Sequence, residues 1–161
     1  DSLKAKLESK DYEKNTYLLK MISFTYLIPT DYPLTIFHKQ WLKEVIRQEQ
    51  LFPGEISYTF CTDEYLLERN IAFLSHDTLT DIITFDNRVG DCVSGEIFIS
   101  VDRVQENATT LGLEYTTELL RVLVHGVLHL CGYKDKTPIE EQCMRGLEDK
   151  YIALFYNKFN A

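Results

Sequence analysis

Residues 121–136 read RVLVHGVLHLCGYKDK, and the chain is organised around this stretch. Val122, Leu123, Val124, Val127, Leu128 and Leu130 make it the most apolar helical pattern in the sequence, which predicts a helix buried at the centre of the fold. His125 and His129 interrupt that pattern four residues apart. On a helix such positions share one face, with Cβ atoms about 5–6 Å apart, which suits two imidazoles sharing one metal ion. Gly132 offers a helix stop, and Asp135 follows in the turn, near enough to return a carboxylate to the same point. Two histidines and one aspartate leave a coordination position open, as catalytic zinc sites do.

A pair of histidines at this spacing also fits two solvent-facing side chains, or two rings hydrogen-bonded in a core, and Asp135 fits a solvated turn residue. The surroundings favour the metal, because burying two unpartnered imidazoles among aliphatic side chains costs free energy that a shared ion would recover. In the zinc-peptidase pattern HExxH a glutamate directly follows the first histidine. Here that position is Gly126, so a peptidase lacks its base, while a hydrolase relying on metal-acidified water does not.

Composition sets the outer bounds. A chain of 161 residues with 45% apolar and 26% charged content is that of one soluble globular domain. No apolar run approaches the roughly 20 residues that span a bilayer, and no signal-peptide pattern opens the chain, which together predict no membrane partner and a cytoplasmic protein. The four cysteines, Cys61, Cys92, Cys131 and Cys143, form no CxxC pair and read as reduced, mostly buried thiols. A net charge of −8 argues against indiscriminate nucleic-acid binding, which needs clustered Lys and Arg. A local basic groove, or a metal supplying positive charge, remains compatible with it.

Residues 1–20 are Lys-rich and weakly apolar, and the chain does not begin with Met. They read as a native extension, an expression remnant or part of another reading frame, set apart from a single domain over 21–161. From Met21 the pattern is regular. Strands are predicted over 21–28, 55–62, 82–85 and 96–100, the second following a Pro53-Gly54 turn. Helices are predicted from a Thr35 cap, from Asp63 to about Phe73, over 102–110, from about Thr116 to Cys131, and from the Thr137-Pro138-Ile139-Glu140 capping box to about Asn157. The expected architecture is α+β: helices packed on a small mixed four-stranded sheet, with the metal site on a central helix and the turn after it.

HGVLHLCGYKDK (125–136) resembles the HGxLHLxGYDH motif of the YbeY family, bacterial single-strand-specific endoribonucleases and ribosomal RNA maturation factors. TDIITF (80–85) is similar to the family's TDVLSF segment, GEIFIS (95–100) to its GDIxIS strand, and DRVQENA (102–108) to the helix that follows. The resemblance runs in order over roughly residues 21 to 155. It implies a Zn²⁺ ion held by three protein ligands, single-stranded RNA and precursor ribosomal RNA as substrate, and the small ribosomal subunit as partner. The family's first two histidine ligands fall on His125 and His129, and its third falls on Asp135. Carboxylate oxygen binds zinc at about 2.0–2.2 Å, so the exchange is tolerable, though the added negative charge should make a coordinated water less acidic. The family's usual Arg in the segment aligned with FLSHDTLTD (73–81) is Leu74 here. An Arg there would engage phosphate. His76, two residues on, is then the candidate to substitute in part, as a cation or as a proton shuttle, read otherwise as an exposed loop histidine. Arg121 and Arg103 are candidates for phosphate contact, read otherwise as surface ion-pair residues. The GEIFIS strand, if it lies at a sheet edge beside the metal, would form part of the groove wall.

Overall fold

The computed structural model describes residues 21–74 and 81–159. Four strands, β1 (Ile22–Tyr26), β2 (Phe52–Cys61), β3 (Ile82–Asp86) and β4 (Cys92–Ser100), form one sheet in the order β1-β2-β4-β3. β1, β2 and β4 run parallel, and β3 pairs antiparallel with β4. Five helices accompany it: α1 (Ile36–Gln48), α2 (Asp63–Leu74), α3 (Val101–Leu111), α4 (Tyr115–Leu130) and α5 (Pro138–Leu154). This is the expected α+β class with a mixed sheet.

α4 carries the stretch quoted first and lies at the centre of the core. Leu119, Leu120, Leu123, Val124, Val127 and Leu128 are buried around it, together with Ile22, Ile56, Tyr58, Ile97 and Ile99 from the sheet and Trp41, Val45 and Ile46 from α1. Polar groups that enter this core are bonded: the Tyr58 hydroxyl donates to the Leu123 carbonyl at 2.8 Å, and the Trp41 indole to the Tyr151 carbonyl at 2.8 Å. On the opposite face of the sheet α2 covers a smaller cluster of Cys61, Leu66 and Ile83.

At Gly126 α4 packs directly on the sheet. A Cβ there would stand 3.0 Å from the terminal methyl groups of both Ile82 and Ile97. The position that carries the base in zinc peptidases therefore faces apolar side chains of β3 and β4, away from the histidines.

Several expectations are revised. Pro53 and Gly54 lie inside β2, at a shift of register between β2 and β4, where a strand tolerates a proline that lacks its donor. β4 is interior, and the edge beside it is β3, so GEIFIS is no exposed groove wall. The last helix stops being α-helical at Leu154 and continues as a π-helical turn, Phe155–Phe159. The thiols are free as expected, but Cys92 and Cys143 are exposed, because they stand at the start of β4 and on the solvent side of α5. No helix among the described residues is long and apolar enough to cross a membrane.

Candidate metal centre

His125 and His129 leave α4 on one face, as their spacing requires, and the chain then turns back. The Cys131 carbonyl accepts from the Arg88 guanidinium at 2.9 Å, which staples the end of the helix to the β3–β4 connection. Gly132 follows at φ 110°, a backbone that L side chains rarely adopt, and this reversal returns Asp135 to the histidines. His125 Nε2 and His129 Nε2 stand 2.9 Å apart, and Asp135 Oδ2 lies 3.2 Å from the first and 3.3 Å from the second.

The outer nitrogens decide what this triangle is. His129 Nδ1 lies 2.9 Å from the Tyr133 carbonyl oxygen, which can only accept, so that nitrogen carries the proton. His125 Nδ1 lies 2.7 Å from Glu148 Oε2, also an acceptor. In the tautomers that turn both Nδ1 protons outward, two Nε2 lone pairs and a carboxylate oxygen converge on one point. Such an arrangement could hold a cation on mixed nitrogen and oxygen ligands, with its histidines oriented by a carboxylate and a backbone carbonyl. Tetrahedral zinc with ligands at about 2.0–2.2 Å spaces them roughly 3.3–3.6 Å apart, so two edges of the triangle fit and the histidine pair needs to open by a few tenths of an ångström. Among the described residues this is the one cluster of three such groups close enough to share an ion.

The orienting groups are themselves held. Glu148 on α5 is buried and also accepts from Arg121 at 2.9 Å, while Arg121 reaches Asp149 at 2.7 Å. Burial lowers the His125 pKa, and the bond to Glu148 with the charges of Glu148 and Asp135 outweighs it, so the net shift is upward. Tyr133 donates its hydroxyl to Glu49 at the end of α1 at 2.7 Å, a bond that, with burial, pushes the phenol up to about 12. Tyr151 donates to the same carboxylate at 2.5 Å.

A cavity of about 340 Å³ opens beside His125, lined in part by Asp81, Glu118, Arg121, Asp135 and Arg145. Burial pushes the Asp81 carboxyl up, against the charges of His125 and Arg103. It does the same to Glu118, which is 5% exposed and whose Oε2 has no hydrogen-bond partner among the described residues.

Of the residues nominated from the sequence, His125, His129 and Asp135 come together, and Arg121 lines the same cavity on two carboxylates. Arg103 is paired with Asp63 and Glu106, each at 3.3 Å, and is not among the residues lining the cavity. His76 lies outside the described residues. Sequence reasoning missed Glu148, although a signal existed: Met144, Glu148, Tyr151, Ile152 and Phe155 form one buried stripe of α5 and its extension, with a carboxylate at a core position. Asp81 and Arg145 carried no such signal.

The family model described as Endoribonuclease YbeY matches residues 30–156. The Endoribonuclease YbeY of Christiangramia forsetii is 50% identical over 119 residues, covering 74% of this chain and 83% of that protein. The Endoribonuclease YbeY of Flavobacterium psychrophilum is 48% identical over 140 residues, covering 87% of this chain and all (100%) of that protein. The solution structure of TM1509 from Thermotoga maritima superposes with a TM-score of 0.63 at 28% identity, covering 86% of this chain and 91% of that one.

Proposed function

The chain belongs to the YbeY endoribonuclease family, and from that premise we propose that it is a zinc-dependent endoribonuclease. Its substrate is single-stranded RNA, cut in the maturation and quality control of ribosomal RNA, with the small ribosomal subunit as partner and the cytoplasm as the place of action. The observation that carries the chemistry is the triangle of His125 Nε2, His129 Nε2 and Asp135 Oδ2, closed by two lone pairs and a carboxylate with both Nδ1 protons turned away. Softer imidazole ligands favour zinc over magnesium or calcium.

Zinc held by these three side chains supplies Lewis acidity for phosphodiester hydrolysis and makes water a stronger acid beside it. The protein's own contribution is orientation and charge. Glu148 fixes the ring of His125, and the Tyr133 carbonyl fixes that of His129, so the two lone pairs stay convergent. Asp135 adds negative charge to the site, which favours holding the cation and tempers its acidity. Asp81 and Glu118, whose carboxyls are both raised by burial, are the groups in the cavity suited to hold a proton near the reacting phosphate. His76, a few residues earlier in the chain, is proposed as the proton shuttle on sequence grounds.

The test is zinc content together with cleavage of single-stranded RNA, in wild type and in His125→Ala, His129→Ala and Asp135→Ala. Wild type is expected to bind one zinc and to cut, and each variant to lose both. Full zinc in Asp135→Ala removes Asp135 as a ligand. A second reading, a ribosome-assembly factor whose metal is structural and whose nuclease activity is slight, is favoured by the net charge of −8 and by Arg121 and Arg103 both lying on carboxylates. Binding of zinc-loaded protein to the small subunit without cleavage of single-stranded RNA would select it.

A further inference from the structure

We propose that Arg145 is the side chain through which this site grips the phosphate backbone of RNA, an inference that rests on the endoribonuclease reading. Leu74, where the family resemblance implies an arginine, supplies no charge, so a cation for the substrate's phosphate has to come from elsewhere. Arg121 enters the cavity, but Glu148 and Asp149 take its guanidinium at 2.9 and 2.7 Å. Arg103 is taken by Asp63 and Glu106. Arg145 on α5 lines the same cavity as His125 and Asp135, is exposed, and among the described residues closes no ion pair. Even Glu141, one turn earlier on the same helix, does not pair with it, and the charge of Arg145 reaches Glu118 only through space.

Geometry places it well. Arg145 precedes Glu148 by three residues on α5, so their Cβ atoms are about 5–6 Å apart on one face, and Glu148 is the carboxylate bonded to His125. A guanidinium on that face can meet a phosphate adjoining the metal site in a bidentate hydrogen-bonded pair. The need is electrostatic as well. Asp81, Glu118, Asp135, Glu141 and Glu148 all face the cavity, and a cation without its own carboxylate offsets part of their repulsion of an anionic chain.

The test compares wild type, Arg145→Gln, Arg145→Lys and Lys150→Gln, all zinc-loaded. Lys150→Gln removes the same charge from an exposed position on the same helix that lies outside the cavity lining. Two quantities are read: binding of a single-stranded DNA oligonucleotide, an uncleaved phosphate-backbone probe, across a salt series, and kcat and KM on single-stranded RNA. Arg145→Gln is expected to bind about tenfold more weakly, with the log K against log salt slope smaller by about 0.7. KM is expected to rise with kcat changed less than threefold, and zinc content to be unchanged. Arg145→Lys should restore the slope and part of the affinity, and Lys150→Gln should match wild type. An unchanged slope in Arg145→Gln, or an equal loss in Lys150→Gln, overturns the role of Arg145 while leaving a cutting enzyme intact. Wild type that binds the probe but cuts no RNA overturns the nuclease reading, and the slopes still decide Arg145. Wild type that binds neither probe nor RNA overturns both.

Discussion

At the scale of single residues, the orientation of two rings is the quantity to perturb. Glu148 accepts from His125 and from Arg121 at once, so Glu148→Gln removes a charge from both bonds while nearly keeping the shape. Carboxylates that orient metal-bound histidines are typically worth 10–100-fold in metal affinity. Glu148→Gln is therefore expected to lower zinc affinity by about that factor, read by competition with a chromogenic chelator. RNA cleavage should recover when zinc is added in excess, because Glu148 acts through the ring of His125. Cleavage that stays low at full zinc occupancy would give Glu148 a direct part in the reaction.

At the scale of elements, α4 and α1 carry opposite lessons. α4 meets the sheet at Gly126, against Ile82 and Ile97. Gly126→Glu would recreate the peptidase pattern on paper, yet it drives a charged side chain into that apolar contact. The expected result is a loss of more than about 3 kcal/mol of stability in urea unfolding, and no peptidase activity. α1 begins with Thr35, which accepts from the Phe37 backbone, while His38 Nδ1 accepts from the Thr35 backbone at 3.0 Å. Burial lowers the His38 pKa to about 4, against about 6.5 for an unfolded histidine. The unfolded chain therefore binds the proton first. The contribution of a neutral His38 is complete above about pH 6.5 and is lost as pH falls towards 4, a loss of about 1–2 kcal/mol after allowance for partial exposure. His38→Gln keeps an acceptor at the cap, and its stability relative to wild type should rise by that amount between pH 6.5 and 4 in equilibrium unfolding.

At the scale of the whole molecule, a metal held by His125, His129 and Asp135 would join the end of α4 to the turn that follows, and through Glu148 that junction would reach α5. Zinc bound to the native state alone at about 100 times its Kd adds roughly 2.7 kcal/mol. Its removal by a chelator is expected to lower Tm by about 5–10 °C in calorimetry, an effect absent from His125→Ala. Much of this molecule is legible in the chain itself, because period and spacing act within one element. The apolar run of α4 requires burial, the four-residue step of His125 and His129 fixes a shared face, and Gly132 marks the reversal that brings Asp135 back. The Thr137–Glu140 capping box begins α5 where the sequence says it should. What the sequence could not supply are pairings between elements. Glu148 is 23 residues from His125, Glu49 is 84 from Tyr133, and Arg121 meets its carboxylate 27 residues away. Whether an arginine keeps its charge for a substrate or spends it on a neighbour depends on how α5 packs across α4, and no periodicity encodes that. The sequence determined that a helix with two histidines on one face lies at the core; only the tertiary structure decided which side chains orient those histidines and which arginines beside them, among the described residues, are taken by carboxylates, since both depend on contacts that form when separate elements come together.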